Sequence, residues 1–284
     1  NQKLTIEPGV TGLLGPNGAG KSTFIKLALG LYRPSRGYVH VFGQSPRNNL
    51  PILGRIAYCP ETDQFYDCMT GFEFVYWLNR YAGMSAKNAE KTAEAACELV
   101  SMTDRMHDPI DEYSKGMRQR IKLAQSLSTG ADLIFLDEPM AGLDPKGREE
   151  MFALVRRLGQ EGFSVVVSSH ILYEVERVTD NIVLLYNGTV LAHGHIRDIR
   201  DLIDSHPHTI RVQTPHPRQV CKEFVDDPAL LSIEFDENNV TLRTRDPNRC
   251  YQGLNDLALK NGAHIESIRC SDDNLQSVFE YLTK

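Results

Sequence analysis

The sequence predicts an α/β core followed by a smaller α+β domain. Three observations carry that prediction. Across the first two-thirds of the chain, short apolar runs alternate with stretches of helical periodicity. Two of those runs, Asp132 to Asp137 (DLIFLD) and Ser164 to Ser168 (SVVVS), have the unbroken apolar character of strands covered on both faces. From about His206 the pattern changes to a strand–helix–strand–strand–helix–strand–helix series.

Taken in order, Val10 to Leu14 reads as a strand that runs into a Gly-rich loop, and Lys21 to Leu29 as a helix stopped by Gly30 and Pro34. Tyr38 to Phe42 and Arg55 to Cys59 read as strands. Ser85 to Thr103 is a helix with Ser85 as N-cap and Ala89, Ala93, Ala96 and Val100 on one face. Ser114 opens a further helix that reaches Thr129, with Gly130 just past its end. Ile182 to Tyr186 and Thr189 to Ala192 flank Asn187-Gly188, a hairpin signal. In the last quarter, Thr209 to Thr214 is a strand and Gln219 to Val225 a helix. Leu231 to Phe235 and Val240 to Thr244 flank a turn at Asp236 to Asn239. Asn248 to Lys260 is a helix, His264 to Arg269 a strand and Asn274 to Leu282 a last helix. That order is the one found in ferredoxin-like domains of roughly 75 residues. The expected domains are 1–205 and 206–284.

Composition narrows the function classes. With 284 residues, 41% hydrophobic and 24% charged, the chain is globular rather than fibrous or disordered. Its net charge of −6 argues against electrostatic wrapping of nucleic acid. It has no run of 18 apolar residues, so no membrane span is expected, and no N-terminal secretion signal. The first residue is Asn1 rather than Met, so the native start is expected upstream. Cys59, Cys68, Cys97, Cys221, Cys250 and Cys270 include no CxxC pair, which fits reduced thiols in a cytosolic setting.

Gly15-Pro16-Asn17-Gly18-Ala19-Gly20-Lys21-Ser22 fits GxxxxGK[ST] between a predicted strand and helix. Glycines let backbone N–H groups turn inward around phosphate oxygens, and the helix start adds its positive dipole end. Lys21 would reach the β- and γ-phosphates, and the Ser22 hydroxyl would ligate Mg²⁺. Leu133 to Glu138 is an apolar strand ending in two carboxylates. Asp137 would hold Mg²⁺ through water, and Glu138 would act as general base on the attacking water. Tyr113-Ser114-Lys115-Gly116-Met117 opens a helix whose start could receive an anion, although taken alone it reads first as a plain capped helix.

These motifs, in this order, resemble an ABC-transporter ATPase. Ala141-Gly142-Leu143-Asp144 resembles its D-loop and Ser168-Ser169-His170 its switch histidine. Tyr58-Cys59-Pro60-Glu61 and the Ser114-Lys115-Gly116-Met117 form of the signature look most like type-2 exporters. The resemblance covers about residues 4–200; Asp272 to Phe279 resembles the C-terminal extension of that subgroup more loosely.

The resemblance implies a RecA-like P-loop NTPase core with a helical subdomain at about 62–117. It implies ATP and Mg²⁺ as ligands, with Gly15 to Thr23 around the nucleotide and Ser22, Asp137 and Glu61 at the metal. It implies a head-to-tail sandwich dimer, most simply a homodimer, in which Ser114 and Gly116 meet the γ-phosphate bound by the other subunit. Asp144 would couple the two sites, and His170 would contact the γ-phosphate and the water. It also implies a separate transmembrane permease, a peripheral place on the cytoplasmic face of the cell membrane, and no nucleic-acid partner.

Three departures stand out. Glu61 replaces the usual loop glutamine, Met140 sits where a small or hydroxyl residue is common, and the adenine-stacking aromatic should lie upstream of Asn1. His193, His195, His206, His208 and His216 read as a solvated connector, lacking carboxylate or thiol partners at tight spacing. Phe65, Tyr66, Phe72, Phe74, Tyr76, Trp77 and Tyr81 read as helical-subdomain core and, by resemblance, as the groove for the permease's coupling helix. Ribosome- or DNA-directed ABC ATPases are disfavoured, because there is one P-loop and only 92 residues separate Ser22 from Ser114 (114 minus 22). A ligand-controlled switch in residues 206–284 has no motif to support it.

Overall fold

The computed structural model describes residues 4–66, 68–201, 208–260 and 264–270. The chain forms two compact units, Asn1–Gly194 and His195–Lys284.

The first unit is built on a parallel sheet. Its elements are β1 (Val10–Leu14), α1 (Lys21–Ala28), α2 (Leu50–Leu53), β2 (Ile56–Cys59), α3 (Gly71–Tyr81), α4 (Ala86–Leu99), α5 (Lys115–Ser128), β3 (Leu133–Asp137), α6 (Pro145–Gln160), β4 (Ser164–Ser169), α7 (Leu172–Glu176), β5 (Asn181–Tyr186) and β6 (Thr189–His195). The strand order is β2-β3-β4-β1-β5-β6, with parallel pairing from β2 through to β5. β6 returns through Asn187 and Gly188, both at positive φ (47° and 75°), which is what a two-residue type I′ hairpin turn requires.

Side-chain alternation explains why the strands read as unbroken apolar runs. Along β3, Ile134 and Leu136 enter one buried cluster and Phe135 another. Along β4, Val165 and Val167 join the first cluster and Val166 the second. Each face is then covered by helices, with Met151, Phe152 and Val155 of α6 on the first and Ile25 and Ala28 of α1 on the second. A strand buried on both sides has no polar positions to alternate with.

α3, α4 and the start of α5 form the helical part. α3 begins with a capping box: Thr70 Oγ1 accepts from the Glu73 amide (3.1 Å) and Glu73 Oε2 accepts from the Thr70 amide (2.9 Å). Ser85 caps α4, and Ala89, Ala93, Ala96 and Val100 are its buried stripe, as the periodicity predicts. Tyr38 to Phe42 is not a strand. Only an isolated Val41–Gln44 bridge forms there, and Tyr38 is 80% exposed. β-propensity yields a strand only where a neighbour supplies the ladder.

The second unit opens with α8 (Ile196–Asp201), followed by β7 (His208–Gln213), α9 (Pro217–Phe224), β8 (Leu230–Phe235), β9 (Asn239–Thr244), α10 (Pro247–Lys260) and β10 (Ser267–Cys270). Its sheet is antiparallel throughout, in the order β10-β7-β9-β8. Ile210, Val212, Val240 and Leu242 pack against Val220 and Phe224 of α9 and Leu254 and Leu257 of α10. The expected boundary at 205/206, His206 and the last helix, Asn274 to Leu282, lie outside the described residues. Among the described residues, no helix is long and apolar enough to cross a membrane.

Candidate functional site

The loop between β1 and α1 is shaped by its glycines. A Cβ on Gly15 would lie 2.4 Å from the Leu185 carbonyl oxygen, so no side chain fits. Gly18 and Gly20 hold φ of 82° and 106°, the left-handed region that favours glycine. The Gly188 amide donates to Ala19 O (2.9 Å), tying the loop to the β5–β6 turn. Gly20 is the N-cap of α1 and supplies no capping side chain. The first amides of α1 are therefore left to a ligand or to water.

Lys21 is 7% exposed. Its Nζ donates to Gly15 O (2.8 Å) and Pro16 O (3.4 Å) and forms an ion pair with Glu138 Oε1 (3.1 Å). Ser22 Oγ donates to Asp137 Oδ2 (3.1 Å), which joins the loop to the end of β3. Asp137 also accepts from Tyr58 OH (3.3 Å) and Ser168 Oγ (2.6 Å). Burial, reinforced by the Asp137 carboxylate, pushes the Tyr58 hydroxyl well above its ordinary pKa, so it remains a donor.

Glu138 follows at φ 49°, a left-handed turn that breaks the strand alternation after Asp137. Its backbone amide donates to Ser168 Oγ (2.9 Å), and its Oε2 lies 2.9 Å from His170 Nδ1. One buried carboxylate thus meets the P-loop lysine on one oxygen and the histidine after β4 on the other. Lys21, Ser22, Asp137, Glu138 and His170, which span 150 residues of sequence (170 minus 21, inclusive), form one contact network.

The other predicted residues stand apart from that network in their bonding. Ser114 Oγ caps α5 by accepting from the Met117 amide (3.3 Å), and a Cβ on Gly116 would meet nothing closer than 3.8 Å, leaving this helix start open. Asp144 Oδ1 caps α6 by accepting from the Gly147 amide (3.0 Å). Thr23 is exposed, and so is Glu61, whose charge helps to raise Tyr58. Met140 is fully buried in the first core cluster, so its bulk serves packing. Among the described residues, no three His, Cys, Asp or Glu side chains converge on a metal-sized site. His195 Nδ1 accepts from the Arg197 amide (3.1 Å) at the start of α8.

A family model described as ABC transporter matches residues 1–141. The chain is 30% identical over 292 residues to the daunorubicin/doxorubicin resistance ATP-binding protein DrrA of Streptomyces peucetius, covering 99% of this chain and 86% of that one. The chain belongs to the ABC transporter ATP-binding family. An uncharacterized ABC transporter ATP-binding protein of Synechocystis is 36% identical over 199 residues, covering 69% of this chain; the chain spans 56% of that relative's length. A solved structure described as the ATP binding subunit of an ABC transporter superimposes with a TM-score of 0.60 at 31% identity, covering 69% of this chain and 82% of that one.

In this ABC family member, sequence reasoning missed one buried cation. Lys122, on α5, is 4% exposed, and its Nζ donates to Pro60 O (2.9 Å) and Glu61 O (3.0 Å) and pairs with Asp63 Oδ1 (2.9 Å). Lys115 Nζ approaches Asp63 Oδ2 (3.5 Å). Burial pushes the Asp63 carboxyl up, but the two lysines outweigh it and hold it below the ordinary carboxylate value. A lysine inside an apolar helical stripe was the available signal.

Proposed function

We propose that this chain is the ATP-hydrolysing subunit of an ABC exporter. It works as a head-to-tail sandwich, most simply with a second copy of itself, on the cytoplasmic face of a separate membrane permease. The observation that carries the reading is the convergence of Lys21, Asp137, Glu138 and His170 beneath a glycine loop that leaves no room for a side chain at Gly15. The export direction rests on the type-2 signature residues and on the likeness to DrrA, a drug-resistance ATP-binding protein.

The residues present fit Mg²⁺. The Ser22 hydroxyl and the Asp137 carboxylate are hard oxygen donors already side by side at 3.1 Å, and Mg²⁺ takes one or two such groups plus phosphate and water. Ser22, Asp137 and Glu61 would hold it, and it would offset charge on the phosphate oxygens. Tyr58 and Ser168 fix the Asp137 carboxylate from two sides. Lys21 exchanges Glu138 for the β- and γ-phosphates of the substrate, cradled by the loop Gly15 to Thr23. Glu138, oriented by His170, then takes the proton of the attacking water. Ser114 and Gly116, at the open start of α5, receive the γ-phosphate held by the partner subunit, and Asp144 links the paired sites.

We read the domains as 1–205 and 206–284, with 62–117 as the helical subdomain. The strand order β10-β7-β9-β8 supports a ferredoxin-like second domain. Lys21→Ala tests the site. It should abolish MgATP hydrolysis and greatly weaken nucleotide binding, measured by phosphate release and by a fluorescent ATP analogue. Turnover near wild type would remove the P-loop from the mechanism.

A further inference from the structure

Lys122 Nζ donates to Pro60 O (2.9 Å) and Glu61 O (3.0 Å), and its charge pairs with Asp63 Oδ1 at 2.9 Å. Pro60 and Glu61 are the first residues after β2, where the chain leaves the sheet. Their carbonyls have left the β2–β3 ladder, and the lysine replaces the lost ladder partners. The donor comes from the middle of α5, the helix whose N-cap is Ser114. Lys115 and Lys122 are seven residues apart, two turns along one face and roughly 10 Å in rise. The two oxygens of Asp63 bridge them. The Glu61 side chain itself is exposed, so the contact holds the loop backbone and leaves the carboxylate facing solvent.

We infer that Lys122 is a positioning residue that, with Asp63, locks the Glu61 loop to α5, so that the carboxylate offered to the metal and the helix start offered to the partner's nucleotide move as one body. This deepens the function proposed above and rests on its assignment of Glu61. Lys122 is 4% exposed, and its ammonium contacts are with protein oxygens. It acts through the Pro60 and Glu61 carbonyls. Two charge-assisted bonds and an ion pair on a nearly dry ammonium are strong enough to carry such a link.

The test compares Lys122→Met, which keeps length and bulk, with Lys122→Arg, which keeps the charge and donors. Hydrogen exchange of the nucleotide-free protein reads the loop amides from Glu61 to Tyr66 directly. Lys122→Met should exchange there about tenfold faster, the loss of roughly one charge-assisted bond, with α3 and β3 unchanged. Lys122→Arg should recover most of the protection. In turnover, Lys122→Met should raise the half-saturating Mg²⁺ concentration about tenfold while changing the maximal rate less than threefold. Wild-type exchange in the loop together with wild-type Mg²⁺ dependence would overturn the inference. Should Lys122→Met not fold, Asp63→Asn carries the same test. Its carboxylate is partly exposed, and it should shift both readouts in the same direction by a smaller factor, no shift again overturning the idea. Absence of MgATP turnover in the wild-type complex would instead sink the function proposed above, while the exchange measurement would still decide the lock.

Discussion

At the scale of single residues, Glu138 is held three ways: by Lys21, by His170 and, through its amide, by Ser168. Glu138→Gln keeps the size and removes both the charge and the base. General-base loss costs about 10²–10⁴ in rate, so phosphate release should fall by that factor. The same change removes the negative charge paired with Lys21, so ATP binding should be retained or tightened. The bound nucleotide would then persist, and a dimer should accumulate with MgATP, seen by light scattering or size exclusion. Hydrolysis at the wild-type rate would place the base elsewhere. An inactive variant that never dimerises with MgATP would count against the sandwich. The residues of this cluster were legible from sequence because strand ends and helix starts put them there. The bonds from Tyr58 and Ser168 to Asp137 were not, because they depend on which strands lie beside β3.

Among elements, the β8–β9 turn makes a pH prediction. Asp236 accepts from the Asn238 amide (3.0 Å), from Asn239 Nδ2 (3.0 Å) and from the Asn239 amide (2.8 Å), and those bonds hold its carboxyl below the ordinary value. A depressed pKa means the bonds favour the charged form in the fold. The stabilisation is therefore complete above the unfolded-state pKa of about 3.9 and fades as pH falls through the lower folded value. Asp236→Ala should speed amide exchange in β8 and β9 at neutral pH, and the gap to wild type should close in acid. A gap independent of pH would show that the carboxylate charge is not what holds the turn. Turns such as this one and Asn187-Gly188 were readable because their chemistry is local. The strand expected at Tyr38 to Phe42 failed for the opposite reason, since pairing is a tertiary event. The Lys122 contacts were unreadable likewise, because they join residues 61 and 62 positions apart. The capping box at Thr70 and Glu73 is local chemistry of the same legible kind.

For the whole molecule, the two buried clusters of the first unit draw, among the described residues, only on residues before Gly194, and the third only on residues after it. A chain ending near Asp204 should therefore still fold and bind ATP, with altered dimerisation or regulation. Circular dichroism and nucleotide titration of the shortened chain check this. Loss of all soluble protein would mean that residues 206–284 complete the core.

The sheet order also sets a schedule. β1 is flanked by β4 and β5, with Val10 opposite Val165 and Gly12 opposite Ile182. Its nearest lateral partner is made 155 residues later (165 minus 10). At roughly 5–20 residues per second, a ribosome needs on the order of 8–30 s to deliver it. Until then the apolar segment before the phosphate loop waits without a ladder, and the loop has no Leu185 carbonyl or Gly188 amide to shape it. The nucleotide site thus waits for Gly188, made 166 residues after Ser22 (188 minus 22), before its loop can be shaped. A nascent chain arrested before β4 would carry the whole phosphate-loop motif and have no site, open to chaperones and closed to ATP.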